Sequence, residues 1–292
     1  MKRDDIQTLA CPTCHGALSH EGPVVSGEIV GGSVSCSGCG ARWPFEDGFL
    51  RLYREAEVRG TDKLMRYIYD GLPALHNPAV KLLLPVLQLG GSEVQLREAY
   101  GERLELGALA ALAPRTDGRP LRILEVGMGA GANLGLMQRR LPKGLAVEIW
   151  GPDLSAGMLR VGRKVAAKLG MTNVRTLIAD AHALPFPDAS FDRVFHVGGI
   201  SGMRDPRRVL AEMARVAVPG TPIVVADEQL TPELRRSLYH RVTFKMITFY
   251  DPDPHCPREL LPAGAEDVLE EQITPFYYAL RFRMPARPPT RP

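Results

Sequence analysis

No apolar run in the sequence approaches the roughly 18 residues that a membrane-spanning helix needs. The most apolar short stretch, Leu82 to Leu89, is broken by Pro85 and runs into Gly90 and Gly91. The start, Met1-Lys2-Arg3-Asp4-Asp5, lacks the apolar core of a secretory signal, so a cytoplasmic location is the default expectation. Charge of one sign is also scarce. Lys and Arg number 36 against 33 Asp and Glu, a net +3 over 292 residues, which is less than the dense basic footprint of a nucleic-acid binder. Basic residues do gather at Arg281, Arg283, Arg287 and Arg291, the last two in a proline-rich tail. There is no internal repeat. With 45% hydrophobic and 24% charged residues, the composition is that of an ordinary globular protein. The length suits one large domain with a small companion.

Cysteine is sparse but placed. Four of the five cysteines form two knuckles, Cys11-Pro12-Thr13-Cys14 and Cys36-Ser37-Gly38-Cys39, with 21 residues between them. Paired thiolates one turn apart fit metal binding in a reducing compartment better than disulfides. Four thiolates make a closed tetrahedral site with no open position, so zinc here is expected to be structural. Gly16, Gly38 and Gly40 are expected to supply left-handed turns, and His15 to be a bystander.

The chain divides into a cysteine segment (1–54), a helical segment (55–118), an α/β segment (119–285) and a tail (286–292). In the second, Leu64, Ile68, Leu72 and Leu75 recur at helical spacing. In the third, short apolar runs alternate with amphipathic stretches, as in a parallel sheet covered by helices. Strands are expected at Arg122–Glu125, Ala146–Trp150, Val174–Ile178, Arg193–Val197 and Pro222–Ala226. Asp205 and Pro206 should open a helix that buries Val209, Leu210, Met213 and Val216, and Pro219-Gly220 should end it. Leu280, Phe282 and Met284 alternate as in a half-buried strand, with Val268 to Thr274 as its hairpin partner.

The run Leu124-Glu125-Val126-Gly127-Met128-Gly129-Ala130-Gly131-Ala132 reads as a strand that stops in a glycine turn and enters a helix. Bare backbone can then approach a ligand closely. Gly127, Gly129 and Ala132 also satisfy a dinucleotide fingerprint, with Asp153 at the distance of a ribose contact. Glu125 tilts the reading, because a carboxylate at the strand end does little for a pyrophosphate and much for a sulfonium or ammonium. Asp180 follows the third strand, where an adenine amino group could donate to it. S-adenosylmethionine is therefore the leading cofactor.

Two resemblances sharpen this. Residues 9–53, with both knuckles and Trp43-Pro44-Phe45-Glu46-Asp47-Gly48-Phe49-Leu50-Arg51-Leu52, resemble the Trm112-like zinc ribbon, a methyltransferase activator also found fused to methyltransferases. Residues 121–230 resemble class I S-adenosylmethionine-dependent methyltransferases of the quinone-biosynthesis type. The resemblance rests on Glu125-x-Gly127-x-Gly129-x-Gly131, the run Gly151 to Leu159, and Ala179-Asp180-Ala181 through Phe191-Asp192. It implies a doubly wound, mostly parallel seven-stranded sheet of Rossmann-like form, with a small N-terminal ribbon and a helical lid. It also implies that Glu125, Gly127, Met128, Gly129 and Gly131 line the methionine part of the cofactor. Asp153 and Leu154 would hold the ribose side, Met158 would pack near the adenine, and Asp180 with the Ala181 N–H would meet its ring.

Methyl transfer needs a positioned nucleophile and excluded water. The acceptor is expected beyond the fourth and fifth strands, where the sheet order should switch. His196, before Gly198-Gly199, is the candidate base and also a cofactor contact. Asp227, Glu228, Tyr239, His240, Tyr250 and His255 are weaker candidates, and Tyr67, Tyr69, His76 and Tyr100 lie in the expected lid. Cys256 is the leftover thiol. The expected activity is methyl transfer to a small apolar or aromatic molecule. An RNA methyltransferase using the ribbon for RNA or partner contact is the alternative, although nucleic acid fits the charge poorly and no Asn-Pro-Pro-Tyr signature is present. A non-enzymatic adaptor and a nicotinamide oxidoreductase complete the field, and a homodimer stays open.

Overall fold

The computed structural model describes residues 1–71, 73 and 92–286. Leu72, Leu75, His76, the stretch Leu82–Leu89, Arg287 and Arg291 lie outside the described residues. In the N-terminal part the strands are β1 (Leu18–Glu21), β2 (Val24–Val25), β3 (Glu28–Ile29), β4 (Ser33–Cys36), β5 (Arg42–Glu46) and β6 (Phe49–Leu52). They are followed by β7 (Leu121–Val126), β8 (Val147–Asp153), β9 (Val174–Ala179), β10 (Arg193–Val197), β11 (Ile223–Glu228), β12 (Glu266–Thr274) and β13 (Tyr277–Arg283). The α-helices are α1 (Thr61–Gly71), α2 (Glu93–Arg103), α3 (Leu134–Arg140), α4 (Ala156–Lys168), α5 (Pro206–Val216) and α6 (Leu238–Ile247).

One sheet runs through most of the molecule in the order β1-β4-β5-β6-β9-β8-β7-β10-β11-β13-β12. The seven strands from β9 to β12 form the doubly wound arrangement expected from the sequence. The first five of them in chain order are parallel, and β13 joins β11 antiparallel. The sheet has eleven strands rather than seven because the cysteine segment extends it. Strand β6 lies parallel to β9, with Arg51 opposite Ile178 and Leu52 opposite Ala179. Leu52, Trp43, Val34 and Ile6 share one buried cluster with Leu177, Phe186 and Trp150. Asp5 accepts from Arg175 at 3.0 Å, and Ala10 N–H donates to Pro185 O at 2.9 Å.

The strands read as continuous apolar runs because helices cover both faces. Helix α5 shows how the local sequence sets an element. Asp205 accepts from the Arg208 N–H at 3.1 Å, Pro206 occupies the first turn, and Val209, Leu210, Met213 and Val216 are all buried. The helix stops at Val216, before the Pro219-Gly220 signal, since the chain must turn into β11 there. Strand β8 continues past Trp150 through Gly151 and Pro152 to Asp153, which carries the acidic tip further out than the sequence suggests. The segment before β7 is fastened by Asp192. This fully buried carboxylate accepts from Arg119 at 3.0 and 3.1 Å and from the Arg122 N–H at 2.8 Å, and it also pairs with Arg115. The clustered Arg281 and Arg283 are likewise paired, with Glu105 and Asp267.

Candidate cofactor and acceptor site

The topological switch lies between β7 and β10, since β8 flanks β7 on one side and β10 on the other. It therefore falls between the first and fourth strands of the α/β segment, not between the fourth and fifth. Ligand crevices form at such a point, beyond the carboxyl ends of the strands. A cavity of about 500 Å³ opens there. It is walled by the ends of β7, β8, β9, β10 and β11 and closed over by residues of α1, α2 and α6.

The turn after β7 is built for close approach. Gly127 and Gly129 have φ of 69° and 54°, a region that costs a residue with a side chain. Both line the cavity. The Met128 side chain turns away, packing over Gly151 so closely that a Cβ there would lie 2.0 Å from its sulfur. Met128 thus presents its backbone to the cavity and its side chain to the core. Gly131 does not line the cavity. Its φ of 70° and the Cα of Gly162, 3.1 Å from where its Cβ would stand, make it a packing glycine between the turn and α4.

Glu125 is buried at the end of β7. Asn133 donates to its Oε1 at 2.5 Å, while Oε2 has no partner among the described residues. Burial pushes the Glu125 carboxyl up to about 8, with Asn133 and Arg97 opposing. An orphaned acid oxygen in a dry site favours a cationic ligand that restores its charge. Asn133 was not singled out from the sequence, and its position two residues past the last glycine of the turn is the only signal it gives. It is held in turn by Arg97 at 2.5 Å and by the Tyr100 hydroxyl.

Asp153 accepts from Gly129 N–H at 2.8 Å through Oδ2 and from Ser155 N–H at 2.8 Å through Oδ1. Burial raises it to about 6. It ties the end of β8 to the glycine turn, with Leu154 and Met158 beside it on the cavity wall. Asp180 is more occupied than the sequence suggests. Its Oδ1 accepts from His182 N–H at 2.9 Å and faces His182 Nδ1 at 2.6 Å, while Arg204 donates to Oδ2 at 2.6 Å. Burial opposes these contacts, yet together they hold Asp180 down to about 2. Ala181 lines the cavity next to it.

Helix α1 closes this side with two acids at opposite ends. Asp62 pairs with Arg204 at 2.5 Å, so that Arg204 bridges Asp62 and Asp180. Asp70 accepts from Ser155 Oγ at 2.6 Å and from Gly157 N–H at 2.9 Å, at the start of α4. Neither acid stands out in the sequence, because their partners are more than 80 residues away.

Across the cavity, His196 is buried. Its Nδ1 donates to Val126 O at 2.8 Å, since a carbonyl only accepts, which leaves Nε2 as the basic nitrogen. Nε2 has no partner among the described residues. Burial lowers its pKa, against the pull of Asp227, so the ring is neutral. Asp227 itself accepts from Gly199 N–H at 2.6 Å and Ser201 N–H at 3.3 Å and so shapes the loop after β10. Glu228 lines the cavity and accepts from Tyr250 at 3.0 Å and Tyr277 at 3.1 Å. Burial, with Asp227 beside it, raises Glu228 well above the usual carboxylate range. Much of the remaining wall here is apolar, from Met65, Ile68, Met203, Met246 and Phe249. Tyr239, His240, His255 and Cys256 do not line it. Burial pushes the Cys256 thiol up to about 12, far from a reactive thiolate.

The four knuckle sulfurs meet at the other end of the sheet, all within 4.8 Å of one another. The pairs Cys11–Cys39 and Cys14–Cys36 stand 3.7 and 3.4 Å apart. A tetrahedral zinc with bonds of about 2.3 Å spaces its sulfurs by roughly 3.8 Å, so the set fits the ion. Gly16 and Gly38 do not take the expected left-handed turns; His15 (φ 57°) and Gly40 (φ 72°) do. Gly16 is needed for room, because a Cβ there would come within 3.0 Å of Cys36 Sγ and 3.2 Å of Cys14 Sγ.

Comparison with known proteins agrees with this geometry. Residues 123–220 match the family described as a methyltransferase domain. That stretch is similar to a methyltransferase domain, and in this chain a four-cysteine cluster stands at the N-terminal edge of the same sheet. Demethylmenaquinone methyltransferase of Thermus thermophilus is 36% identical over 128 residues, 44% of this chain and 56% of that protein. Phosphatidylethanolamine N-methyltransferase of Cereibacter sphaeroides is 36% identical over 116 residues, 39% of this chain and 54% of its own. The chain thus spans little more than half the length of these curated relatives. The crystal structure of the DszA carbon methyltransferase is similar in fold, with a TM-score of 0.53 at 16% identity over 77% of this chain and 70% of that one.

Proposed function

We propose that the protein transfers a methyl group from S-adenosylmethionine to a small apolar or aromatic acceptor. One observation carries this reading: a buried carboxyl with an orphaned oxygen, Glu125, sits beside bare glycine backbone in a cavity whose far wall is apolar. The cationic methionine end of the cofactor would lie on Gly127 and Gly129 with Glu125 beside it. Asp153 would take the ribose hydroxyls, Met158 and Ala181 the adenine. Asp180 would act partly through Arg204, since its oxygens already accept from that residue and from His182.

From these positions the cofactor would supply an activated methyl group and the chain would supply placement. Met65, Ile68, Met203 and Phe249 would seat the acceptor and exclude water. His196 Nε2 would accept the acceptor's proton if the nucleophile carries one. Glu228, which accepts from Tyr250 and Tyr277, would orient a polar group of the acceptor. The names of the curated relatives support small-molecule acceptors of this general kind. Zinc on Cys11, Cys14, Cys36 and Cys39 would be structural, bracing the strands that extend the sheet.

Calorimetry with S-adenosylmethionine, S-adenosylhomocysteine and NAD tests the reading. Binding of both adenosyl compounds and not of NAD is expected. Binding of NAD alone would overturn it, as would a co-crystal with S-adenosylhomocysteine in which the space beside its sulfur is walled by charged groups.

A further inference from the structure

Helix α6 is apolar on two faces. Its inner face is packed, with the Phe244 ring 5.4 Å from Phe276 and Thr243 buried. Its outer face carries Leu238, Val242 and Met246 at intervals of four residues, exposed by 69%, 51% and 66%, and Phe249 in the following turn is exposed by 57%. A surface helix ordinarily turns charged or polar residues to that side. Cations flank this stripe. Between residues 231 and 250 there are four basic residues, Arg235, Arg236, Arg241 and Lys245, against Glu233 alone. Asp251 and Asp253 follow, but Asp251 is buried, so the exposed charge beside the stripe is net positive. The stripe also reaches the site, because Met246 and Phe249 line the cavity wall. On α1, Leu64, Tyr67 and Ile68 are exposed as well, and Ile68 lines the same cavity.

We propose that α6 docks on an anionic lipid surface, with Leu238, Val242 and Met246 entering the acyl boundary and Arg235, Arg236 and Arg241 meeting the headgroups, while Lys245 is held by the backbone oxygen of Asp251. An outward apolar stripe beside Arg and Lys is the pattern of an interfacial helix. Charge complementarity selects an anionic bilayer over a neutral one, and continuity with the cavity gives the docking a purpose. An apolar acceptor dissolved in the bilayer would pass Met246 and Phe249 into the chamber without crossing water.

Co-sedimentation of the full chain with vesicles tests this. Vesicles of phosphatidylcholine with about 30% phosphatidylglycerol should bind it, and pure phosphatidylcholine at least about tenfold less well. The pair Leu238→Glu and Val242→Glu should weaken binding at least about tenfold, as should Arg235→Gln, Arg236→Gln and Arg241→Gln together. None of these residues lines the cavity, so cofactor affinity by calorimetry should not change, which shows that the variants are folded. The proposal falls if neither vesicle binds the protein or if Leu238→Glu with Val242→Glu binds like the parent. It also falls if the stripe instead holds a dimer that those substitutions dissolve while vesicles go unbound. Vesicle binding is read without cofactor or turnover, so its failure is distinct from failure of the methyl-transfer reading.

Discussion

Asn133 donates to one oxygen of Glu125 at 2.5 Å, and the other oxygen of that buried carboxyl has no partner among the described residues. The pair is a half-satisfied site. Burial holds the Glu125 proton up to about 8, so at neutral pH the free protein carries a mostly neutral acid where a cation would want a charged one.

The first prediction is a pH dependence. A bound cation lowers the Glu125 pKa, so binding releases a proton between pH 6 and 8, and affinity must rise with pH across that window. S-adenosylmethionine should bind at least about tenfold more tightly at pH 8 than at pH 6. Calorimetry in buffers of different ionisation enthalpy should register the proton. Glu125→Gln should bind more weakly and lose the slope. In the free protein the sign reverses for stability: the folded state holds this proton more tightly than the unfolded chain, so the Glu125 contribution is lost as pH rises from the ordinary carboxylate range through about 8.

Asp153 gives the second. Its two oxygens accept from Gly129 and Ser155, and the cofactor ribose would add a third demand. Asp153→Asn keeps the shape and removes the charge. Cofactor affinity should drop by roughly tenfold to a hundredfold, the range for losing a hydrogen bond to a charged group. Zinc content measured by mass spectrometry on the same preparation should be unchanged.

A third concerns the hold on α1. Asp70 satisfies the free N–H of Gly157 at the start of α4 and the hydroxyl of Ser155. Asp70→Ala should cost about 1 kcal/mol of stability, as for a lost N-cap. Hydrogen exchange at residues 61–71 should speed up, and the cofactor should dissociate faster. Unchanged exchange in that helix would show that its other fastenings, Asp62 with Arg204 and Arg66 with Glu55, suffice to hold it.

The fourth follows from the pairing of β6 with β9. Since the cysteine segment completes the sheet and shares its core, removing a metal held by the four cysteines should not melt that segment alone. Cys36→Ser, or a strong chelator, should lower the melting temperature of the whole chain in a single calorimetric transition. Two separated transitions, with the later one unmoved, would contradict this.

His196 supplies the last. With Nδ1 committed to Val126 O, only Nε2 is available as a base. Once an acceptor is in hand, His196→Gln should lower kcat by about a hundredfold or more if a proton must leave, with cofactor affinity retained. A drop in affinity with unchanged kcat would make it a wall of the cofactor site only.

Local chemistry made much of this protein legible from its sequence. The glycine turn after Glu125, the acid tips Asp153 and Asp180, the Asp205-Pro206 helix start and the two cysteine knuckles are short-range signals, each set by backbone conformation or side-chain spacing within about ten residues. Alternation and apolar runs likewise marked the strands of a helix-covered parallel sheet, whereas the doubly wound order was what the family resemblance implied and the place of its switch came only from the fold. What the tertiary structure alone decided depends on partners far apart in the chain. Asp62 and Asp70 meet Arg204 and Ser155 only when α1 crosses the sheet ends. Gly131 and the side chain of Met128 face packing rather than the cavity because α4 and Gly151 press against the turn. The cysteine segment looked like a separate module, and only the β6–β9 pairing made it part of the sheet. Periodicity says which face of a helix is apolar, but not what covers it, and so the outward stripe of α6 became visible only once its inner face was seen to be already packed.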